Sequence, residues 1–215
     1  MISMFLHFIP DGATLLVYSM TCIALFIVPG PDMSFSLTKT FSGGIRMGFI
    51  ASLGILTGAC IHTVLAAVGV SALVAASPFA FTLLKILGAL YLVFLAVQSV
   101  WQGSALTLGD TRKKNENPYK VFLQGMLIDL LNPKVILFFV SFLPQFIEPH
   151  DPFASSKLIF LGVYLIALDL PLAILLVLGA GRYVERLQGN PKVMRALDYG
   201  FAGLFGAFAL KLLVL

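Results

Sequence analysis

The sequence predicts an all-α membrane protein with about six transmembrane helices, and its composition and the grouping of its apolar residues carry that prediction. Of its 215 residues, 59% are hydrophobic and only 11% are charged, whereas a soluble domain carries roughly a quarter charged residues because its surface faces water. The hydrophobic residues fall into long runs, and about 20 apolar residues suffice for one helix to cross the hydrocarbon core of a bilayer. A mean hydropathy of +0.99 agrees with lipid as the surroundings of most of the chain.

Six stretches are long and apolar enough to be spans. The first runs from Ala13 to Val28, and its continuation beyond Pro31 towards Thr40 is left open. We expect one transmembrane domain over residues 1–215, with halves of about 1–100 and 121–215 joined by a polar cytoplasmic loop, 101–120. The other five spans are Gly48–Ala76, Phe79–Val100, Val121–Leu143, Leu158–Leu178 and Met194–Leu215.

Basic residues predict the orientation, since cytoplasmic loops retain Lys and Arg. The loops after the first, third and fifth spans hold ten of them, and the opposite side holds only Lys157. We therefore expect a multi-pass protein of the bacterial inner membrane with both termini outside the cytoplasm. The ten residues are Lys39, Arg46, Arg112, Lys113, Lys114, Lys120, Arg182, Arg186, Lys192 and Arg195.

The sequence Pro29-Gly30-Pro31 interrupts the first span. Proline removes a backbone donor and clashes with the preceding turn, so two prolines that flank a glycine end a helix. The backbone groups freed at a break need partners that lipid does not supply, and the amides that begin the next helix favour an anion. One interpretation is a binding site at which the bare backbone of Gly30 lets a substrate or a facing helix approach. The other is a plain helix end capped by Asp32.

Asn132-Pro133-Lys134 forms a second break, about a dozen residues into the fourth span, and Asp129 lies one turn before it. A charge at the bilayer centre costs about 2.5–3.5 kcal/mol on insertion scales. Asp129 therefore indicates either a site for a polar substrate or a proton, or a structural kink that contains an Asp129–Lys134 ion pair. Asn132 is expected to cap the broken carbonyls.

His62 shares a helix face with Gly54 and Gly58, because the three residues follow one another at intervals of four. Small residues let a second helix approach closely, so His62 is expected to point into the bundle. Histidine ordinarily titrates at about pH 6.5, which suits proton coupling; a neutral histidine bonded to a neighbouring helix is the alternative. For Asp169, which precedes Pro171 in the fifth span, the sequence identifies no partner.

The two halves show a faint repeat. Each contains a broken span followed by two further spans, and the third span of each half is rich in small residues. Each copy has three spans, an odd number, so the second copy enters the membrane in the opposite direction to the first. The result is an inverted repeat of the kind found in secondary transporters. The small residues are Gly88 in the first half and Gly200, Gly203 and Gly206 in the second.

Signatures of common enzymes are absent from the sequence. It contains no G-x-x-x-x-G-K-[ST], no H-E-x-x-H and no G-x-S-x-G. Cys22 and Cys60 lie in apolar runs and are interpreted as small buried side chains. We expect no enzyme activity, no cofactor and no metal site, and an ion- or proton-driven carrier is the simplest function. The rivals are a membrane assembly or interaction protein without transport activity, and an intramembrane enzyme.

With these motifs the chain resembles the LysE/RhtB family of amino-acid exporters. The resemblance implies proton-driven efflux of amino acids or derivatives such as homoserine or its lactone. It also implies that Pro29–Pro31 and Asn132–Lys134 are paired motifs and that Asp129 and His62 are functional polar sites; Asp169 falls outside the pattern. The matching residues are Pro29, Gly30, Pro31, Gly54, Gly58, His62, Leu84, Lys85, Gly88, Ala89, Tyr91, Leu92, Gly125, Asn132, Pro133, Lys134, Phe142, Pro144, Gln145 and Phe146.

We accordingly expect a substrate site between the first and fourth spans. The substrate carboxylate would meet the amides after Pro31 or the Lys134 ammonium, and its amino group would meet Asp129. His62 or Asp129 would carry the coupling proton. The expected partners are the small-molecule substrate, protons and the lipid bilayer, with no nucleic acid; the small-residue faces permit a homodimer without requiring one.

Overall fold

The computed structural model describes residues 9–102, 108, 116–148 and 151–180, together with scattered positions between 182 and 210. All regular secondary structure within these residues is helical, as predicted. The bounds of its helices are α1 Gly12–Ile27, α2 Pro31–Ala76, α3 Pro78–Gln102, α4 Pro118–Leu130, α5 Pro133–Leu137 and α6 Ala154–Leu178. A π-helical turn, Phe138–Phe142, and a 3-10 turn, Leu143–Phe146, continue α5.

Four of these helices begin with proline, at residues 31, 78, 118 and 133. Proline suits the first helical position because the amide it lacks would have no partner there. Helix α1 instead begins after Asp11, whose carboxylate accepts hydrogen bonds of 3.0 Å from the amides of Ala13 and Thr14. The sequence thus marks most helix starts locally, and the prolines at the two breaks start helices as well as ending them.

Helix α2 is folded back on itself at Gly44, where the backbone has φ 79° and ψ 176°. Glycine adopts a positive φ without the clash that a Cβ would cause. Ser36 and Ser52 are hydrogen-bonded at 3.1 Å on either side of the bend, and a Cβ at Gly48 would collide with the Thr40 side chain. Both contacts are symmetric about Gly44, so the two parts of α2 form an antiparallel hairpin.

Helical structure continues after the first break. The part of α2 before Gly44 runs beyond Pro31 and past Thr40. The part after Gly44 covers the predicted second span, α3 covers the third, and α6 covers the fifth.

By length and composition, two stretches of the described chain are long and apolar enough to cross a membrane: Ala154–Leu178, and Pro31–Gly69, which contains the bend at Gly44. A third consists of α4 and the helical run Pro133–Phe146, which meet at an angle of 48°. Helix α1 is apolar but shorter, at 16 residues. The predicted sixth span, Met194–Leu215, lies largely outside the described residues, as does most of the loop 101–120.

Small residues bring the second part of α2 against α4, which confirms the predicted close approach. A Cβ at Gly54 would strike the carbonyl oxygen of Phe122, and one at Gly125 would lie 2.5 Å from the carbonyl oxygen of Ala51. The two backbones are therefore in direct contact at these positions, as small residues allow in membranes. Further along the same face, Gly58 lies against Asp129.

An aromatic cluster joins α1, α6 and the π-helical turn. Tyr18 is fully buried, and its hydroxyl donates to the carbonyl of Leu161 at 2.9 Å. Its ring lies 5.1 Å from that of Phe146 and 6.3 Å from that of Phe142, measured between centroids. Aromatic pairs at such separations add to the energy of packing, and this cluster anchors α1 beside the fourth span.

The outward faces of the helices are apolar. Cys60 is exposed, and the expectation that both cysteines are buried is wrong for it, whereas Cys22 is buried. In lipid an apolar side chain gains little by turning inward, because the acyl chains are as apolar as the protein interior. Other large apolar side chains that are more than half exposed include Leu16, Met20, Leu53, Val64, Leu65, Val68, Val163 and Leu175.

Candidate functional site

The structure brings the two helix breaks into direct contact. The side-chain amide of Asn132 donates to Asp32 Oδ2 at 2.6 Å. The Lys134 ammonium donates to the carbonyl oxygen of Val28 at 2.9 Å. The two predicted breaks thus lie together, and each supplies a hydrogen-bond partner to the other.

At the first break, α1 ends at Ile27 and α2 begins at Pro31. Asp32 is therefore the second residue of α2, and the interpretation of Asp32 as its N-cap is wrong. The Asp32 carboxylate turns to the other break instead. A methyl group on Gly30 would lie 3.6 Å from Lys134 Nζ, which is ordinary contact, so no group of the described protein requires Gly30 to stay bare.

At the second break, α4 ends at Leu130 and α5 begins at Pro133. The side-chain oxygen Oδ1 of Asn132 accepts from the backbone amide of Lys134 at 3.0 Å, so Asn132 caps the start of α5. The expectation that Asn132 caps the broken carbonyls is wrong. Because its side chain bonds both the helix start and the other break, it fixes their relative position. Asn132 is 2% exposed, which leaves water little access to these bonds.

The two breaks share a sequence pattern but carry charges of opposite sign. Each helix after a break starts with proline and continues with a charged residue, Asp32 after Pro31 and Lys134 after Pro133. Asp32 contacts a residue of the second break, and Lys134 contacts one of the first. The ammonium satisfies a carbonyl that the end of α1 leaves without a backbone donor.

Asp129 lies one turn before the second break and is 2% exposed. Its Oδ2 atom is 3.9 Å from His62 Nε2, and that nitrogen is 3.4 Å from the Asp129 backbone oxygen. The imidazole stacks on Phe139 with centroids 5.4 Å apart, so His62 points into the bundle as predicted. The Lys134 ammonium bonds to Val28 and not to Asp129, so the alternative of an internal Asp129–Lys134 ion pair is wrong.

A cavity opens beside these contacts. The volume available to the centres of water-sized molecules is about 80 Å³. One water needs roughly 10–15 Å³ by this measure, so the cavity has room for about five to eight waters. That is the space of one small organic molecule. The residues of the breaks that line it are Val28, Gly30, Asp32, Asp129 and Lys134, and Ser36, Ser52, Phe139, Leu165 and Asp169 are among the others.

Three carboxyl groups reach this cavity, and each has a buried oxygen that lacks a partner. Among the described residues, Asp32 Oδ1, Asp129 Oδ2 and Asp169 Oδ1 accept no hydrogen bond. A buried acceptor without a donor costs about 1–3 kcal/mol. Such groups mark places where a ligand or a proton supplies what the protein does not.

Sequence reasoning missed two of the lining carboxylates. Asp32 was treated only as a helix cap, although a charge beside a helix break is itself a signal of a polar site. Asp169 carried the signal of a charge in the middle of an apolar span, but it lacked an identifiable partner. Ser36 and Ser52 carried no signal, since single serines are common in membrane helices. Pro29 is buried, whereas Pro31 and Pro133 are exposed and shape the backbone without lining the cavity.

Comparison with known proteins places the chain among translocators. A family model described as LysE type translocator matches residues 23–215. The homoserine/homoserine lactone efflux protein of Salmonella typhimurium is 34% identical over 189 residues, which are 87% of this chain and 90% of that protein. The leucine efflux protein of Salmonella choleraesuis is 30% identical over 200 residues, 92% of this chain and 93% of that protein. An uncharacterized membrane protein of Vibrio cholerae is 32% identical over 193 residues, 88% and 91% of the two chains. No solved structure matches the chain.

Proposed function

Because the chain belongs to the LysE-type translocator family, we propose that it exports a small amino acid, or a derivative such as homoserine or its lactone, across the inner membrane in exchange for protons. Members of this family are carriers and not enzymes. The names of the Salmonella relatives support an amino compound of about this size as the substrate. The cavity has room for one such molecule.

The observation that carries this proposal is the meeting of two helix breaks at a cavity lined by charged side chains. Broken helices in secondary transporters expose backbone groups near the bilayer midplane, where the substrate binds. The breaks here fall within the first and fourth spans. Two structural kinks need partners for their freed backbone groups, but they do not need a cavity lined by three carboxyl groups.

In this proposal Lys134 binds the substrate carboxylate, or the carbonyl oxygen of an amide or lactone. An ammonium group has three N–H donors, and Lys134 gives one of them to Val28. The other two are available to a carboxylate in the cavity. An aspartate that lines the same cavity, Asp129, receives the substrate ammonium through its free Oδ2.

Proton exchange follows from the same carboxylate. Asp129 Oδ2 has no partner among the described residues, and it accepts either the ammonium group or a proton. Occupancy by one excludes the other, which is the requirement for antiport. His62, 3.9 Å away, is the group that passes the proton to or from Asp129.

We extend the proposal to the architecture. The two halves form inverted repeats, each with a broken span whose second helix starts with proline and a charged residue. Both termini lie outside the cytoplasm, as the distribution of basic residues indicates. Rocking of one half against the other then exposes the cavity to either side in turn.

Counterflow in proteoliposomes tests this function. Purified protein is reconstituted, preloaded with unlabelled L-homoserine or L-leucine, and exposed to the radiolabelled compound. The wild type should accumulate label transiently, and an inward proton gradient should accelerate net efflux. Absence of counterflow with either compound would favour the alternative of a membrane assembly protein without transport activity.

Substitution of Asp129 separates function from folding. Asp129→Asn removes the charge while keeping the size, and we expect net export to fall at least about tenfold, the loss of one charge-assisted hydrogen bond. Asp11→Asn is the matched control, because it also removes one carboxylate but lies at an exposed helix start that asparagine caps equally well. A fall in membrane abundance that parallels the fall in export would assign Asp129 a structural role instead.

A further inference from the structure

We propose that Asp169 is a specificity-determining residue, which completes a three-carboxylate receptor for the substrate ammonium together with Asp32 and Asp129. This inference rests on the proposed function. Its consequence is a charge preference, in which the carrier favours amino compounds that lack a free carboxylate, such as amides and lactones, over the corresponding zwitterions.

The first observation is a match between donors and acceptors. Asp32, Asp129 and Asp169 line one cavity, and each presents one buried oxygen that no described group bonds. A primary ammonium group carries three N–H donors and no acceptor. One such group therefore has a donor for each of the three acceptors, whereas a water molecule has only two hydrogens to donate.

The receptor is more than a cluster of acidic residues. The Asp129 side chain is almost fully buried, with the residue 2% exposed, and its Oδ2 remains unpartnered inside the protein. Asp32 is held by the 2.6 Å hydrogen bond from Asn132, which occupies Oδ2 and leaves Oδ1 free. Two of the three carboxylates are thus set by the breaks, and Asp169 is added from α6, a helix without a break.

The second observation is the charge balance of the cavity. Three carboxyl groups line it, and Lys134 is its only cation among the described lining residues. With all four groups ionised the lining carries two negative charges in excess (three minus one). A zwitterion leaves this excess in place, a cationic amide or lactone reduces it, and an additional carboxylate on the ligand increases it. Coulomb attraction therefore ranks ligands by net charge.

Asp169 is the residue through which the ranking can be tested. For a cationic ligand, the charge of Asp169 only attracts. For a zwitterion, its attraction to the ammonium is opposed by its repulsion of the carboxylate. Removing that charge should therefore weaken the binding of a cation more than the binding of a zwitterion of the same shape.

The experiment is equilibrium binding to purified full-length protein in detergent, measured by titration calorimetry. The probes are L-leucine and L-leucinamide, which share a side chain and differ by one negative charge. At about pH 7 most of each probe keeps a protonated amino group, since α-amino groups ordinarily titrate at roughly pH 7.7–8.0. The variants are Asp169→Asn, Asp169→Glu and the control Asp11→Asn, which lies outside the cavity.

We expect Asp169→Asn to weaken leucinamide binding by about tenfold or more, the loss of one charge-assisted hydrogen bond, and leucine binding by about threefold or less. Asp169→Glu should restore most of the preference, and Asp11→Asn should change neither affinity. Equal losses for both probes, or no loss for either, would overturn the role of Asp169 while leaving the proposed function intact. A wild type that binds neither probe would overturn the proposed function and this inference with it.

The wild type alone provides a second test in case Asp169→Asn fails to fold. Leucinamide should bind at least as tightly as leucine. The compound 4-methylpentanoate has the same side chain and carboxylate without the ammonium, and it should not bind measurably. Binding of 4-methylpentanoate as tight as that of leucine would show that no ammonium receptor exists.

Discussion

Gly58→Ala is the substitution whose effect the structure defines most sharply. A Cβ at Gly58 would lie 2.5 Å from Asp129 Oδ2 and 2.9 Å from its Cγ. Favourable contacts between such atoms begin at about 3.5 Å, so the carboxylate must retreat by about 1 Å. The added methyl would also lie 2.8 Å from Asp129 Cβ, so rotating the carboxylate does not relieve the clash and Asp129 must move together with its backbone, against the contacts at Gly54 and Gly125.

The expected magnitude has two parts. Overpacking costs about 1–3 kcal/mol of stability, and replacing glycine by alanine within a helix returns up to about 1 kcal/mol. Gly69→Ala in the same helix is the matched control, because a Cβ there meets no described atom within 4 Å and only the second part applies. The difference between the two variants isolates the clash.

For transport, we expect Gly58→Ala to reduce the initial export rate by about ten- to a hundredfold, since misplacing a reacting or binding group by about 1 Å has effects of that size. The measurement is the initial rate against internal substrate concentration, normalised to folded protein in the membrane, with a thermal melt in detergent for stability. Export kinetics in Gly58→Ala that match those of Gly69→Ala would refute the reasoning, because the position of Asp129 would then not matter for transport.

Three further outcomes follow from the contacts. Asn132→Ala should raise the apparent substrate constant for export at least about tenfold, because it removes hydrogen bonds to both breaks. Gly30→Ala should leave that constant within about threefold of wild type, since its methyl makes only ordinary contacts. A larger effect of Gly30→Ala than of Asn132→Ala would contradict the assignment of these two residues. Alkaline-phosphatase fusions should be active at Leu215 and inactive at Lys114, and an inactive fusion at Leu215 would mean that the number of crossings is odd. Tyr18→Phe should lower the stability by about 1 kcal/mol in thermal unfolding, because it removes one buried hydrogen bond between α1 and α6, and export should persist. A loss of export at unchanged stability would mean that the hydroxyl acts in transport.

Periodicity and backbone chemistry allowed much of the fold to be predicted. The apolar runs specified helices because lipid requires every backbone group to be paired within the segment, and the described helices follow the predicted spans closely. Prolines 29, 31 and 133 specified the breaks through their missing donors. The interval of four residues from Gly54 to Gly58 specified a face for close packing, and α4 occupies that face.

The bend at Gly44 was not recognised, although two adjacent glycines at positions 43 and 44 were a signal for it. Glycine tolerates a positive φ without requiring it. The sequence therefore left open whether the helix continues or turns there. Contacts such as the one between Ser36 and Ser52 decide in favour of the turn.

The candidate site likewise combines residues that the sequence identifies with contacts that depend on the fold. The sequence by itself identified both breaks, Asp129, His62 and Lys134 as polar groups within apolar spans, because the cost of placing such groups in lipid can be assessed one residue at a time. The fold adds three features that the sequence does not reveal: Lys134 bonds to Val28, Asn132 bonds to Asp32, and Asp169 lines the same cavity. These partners come from helices about 100 residues apart in the chain. The face of a helix on which a residue lies follows from its position along that helix. Which other helix packs against that face depends on lateral packing, which leaves no periodic pattern in a single sequence.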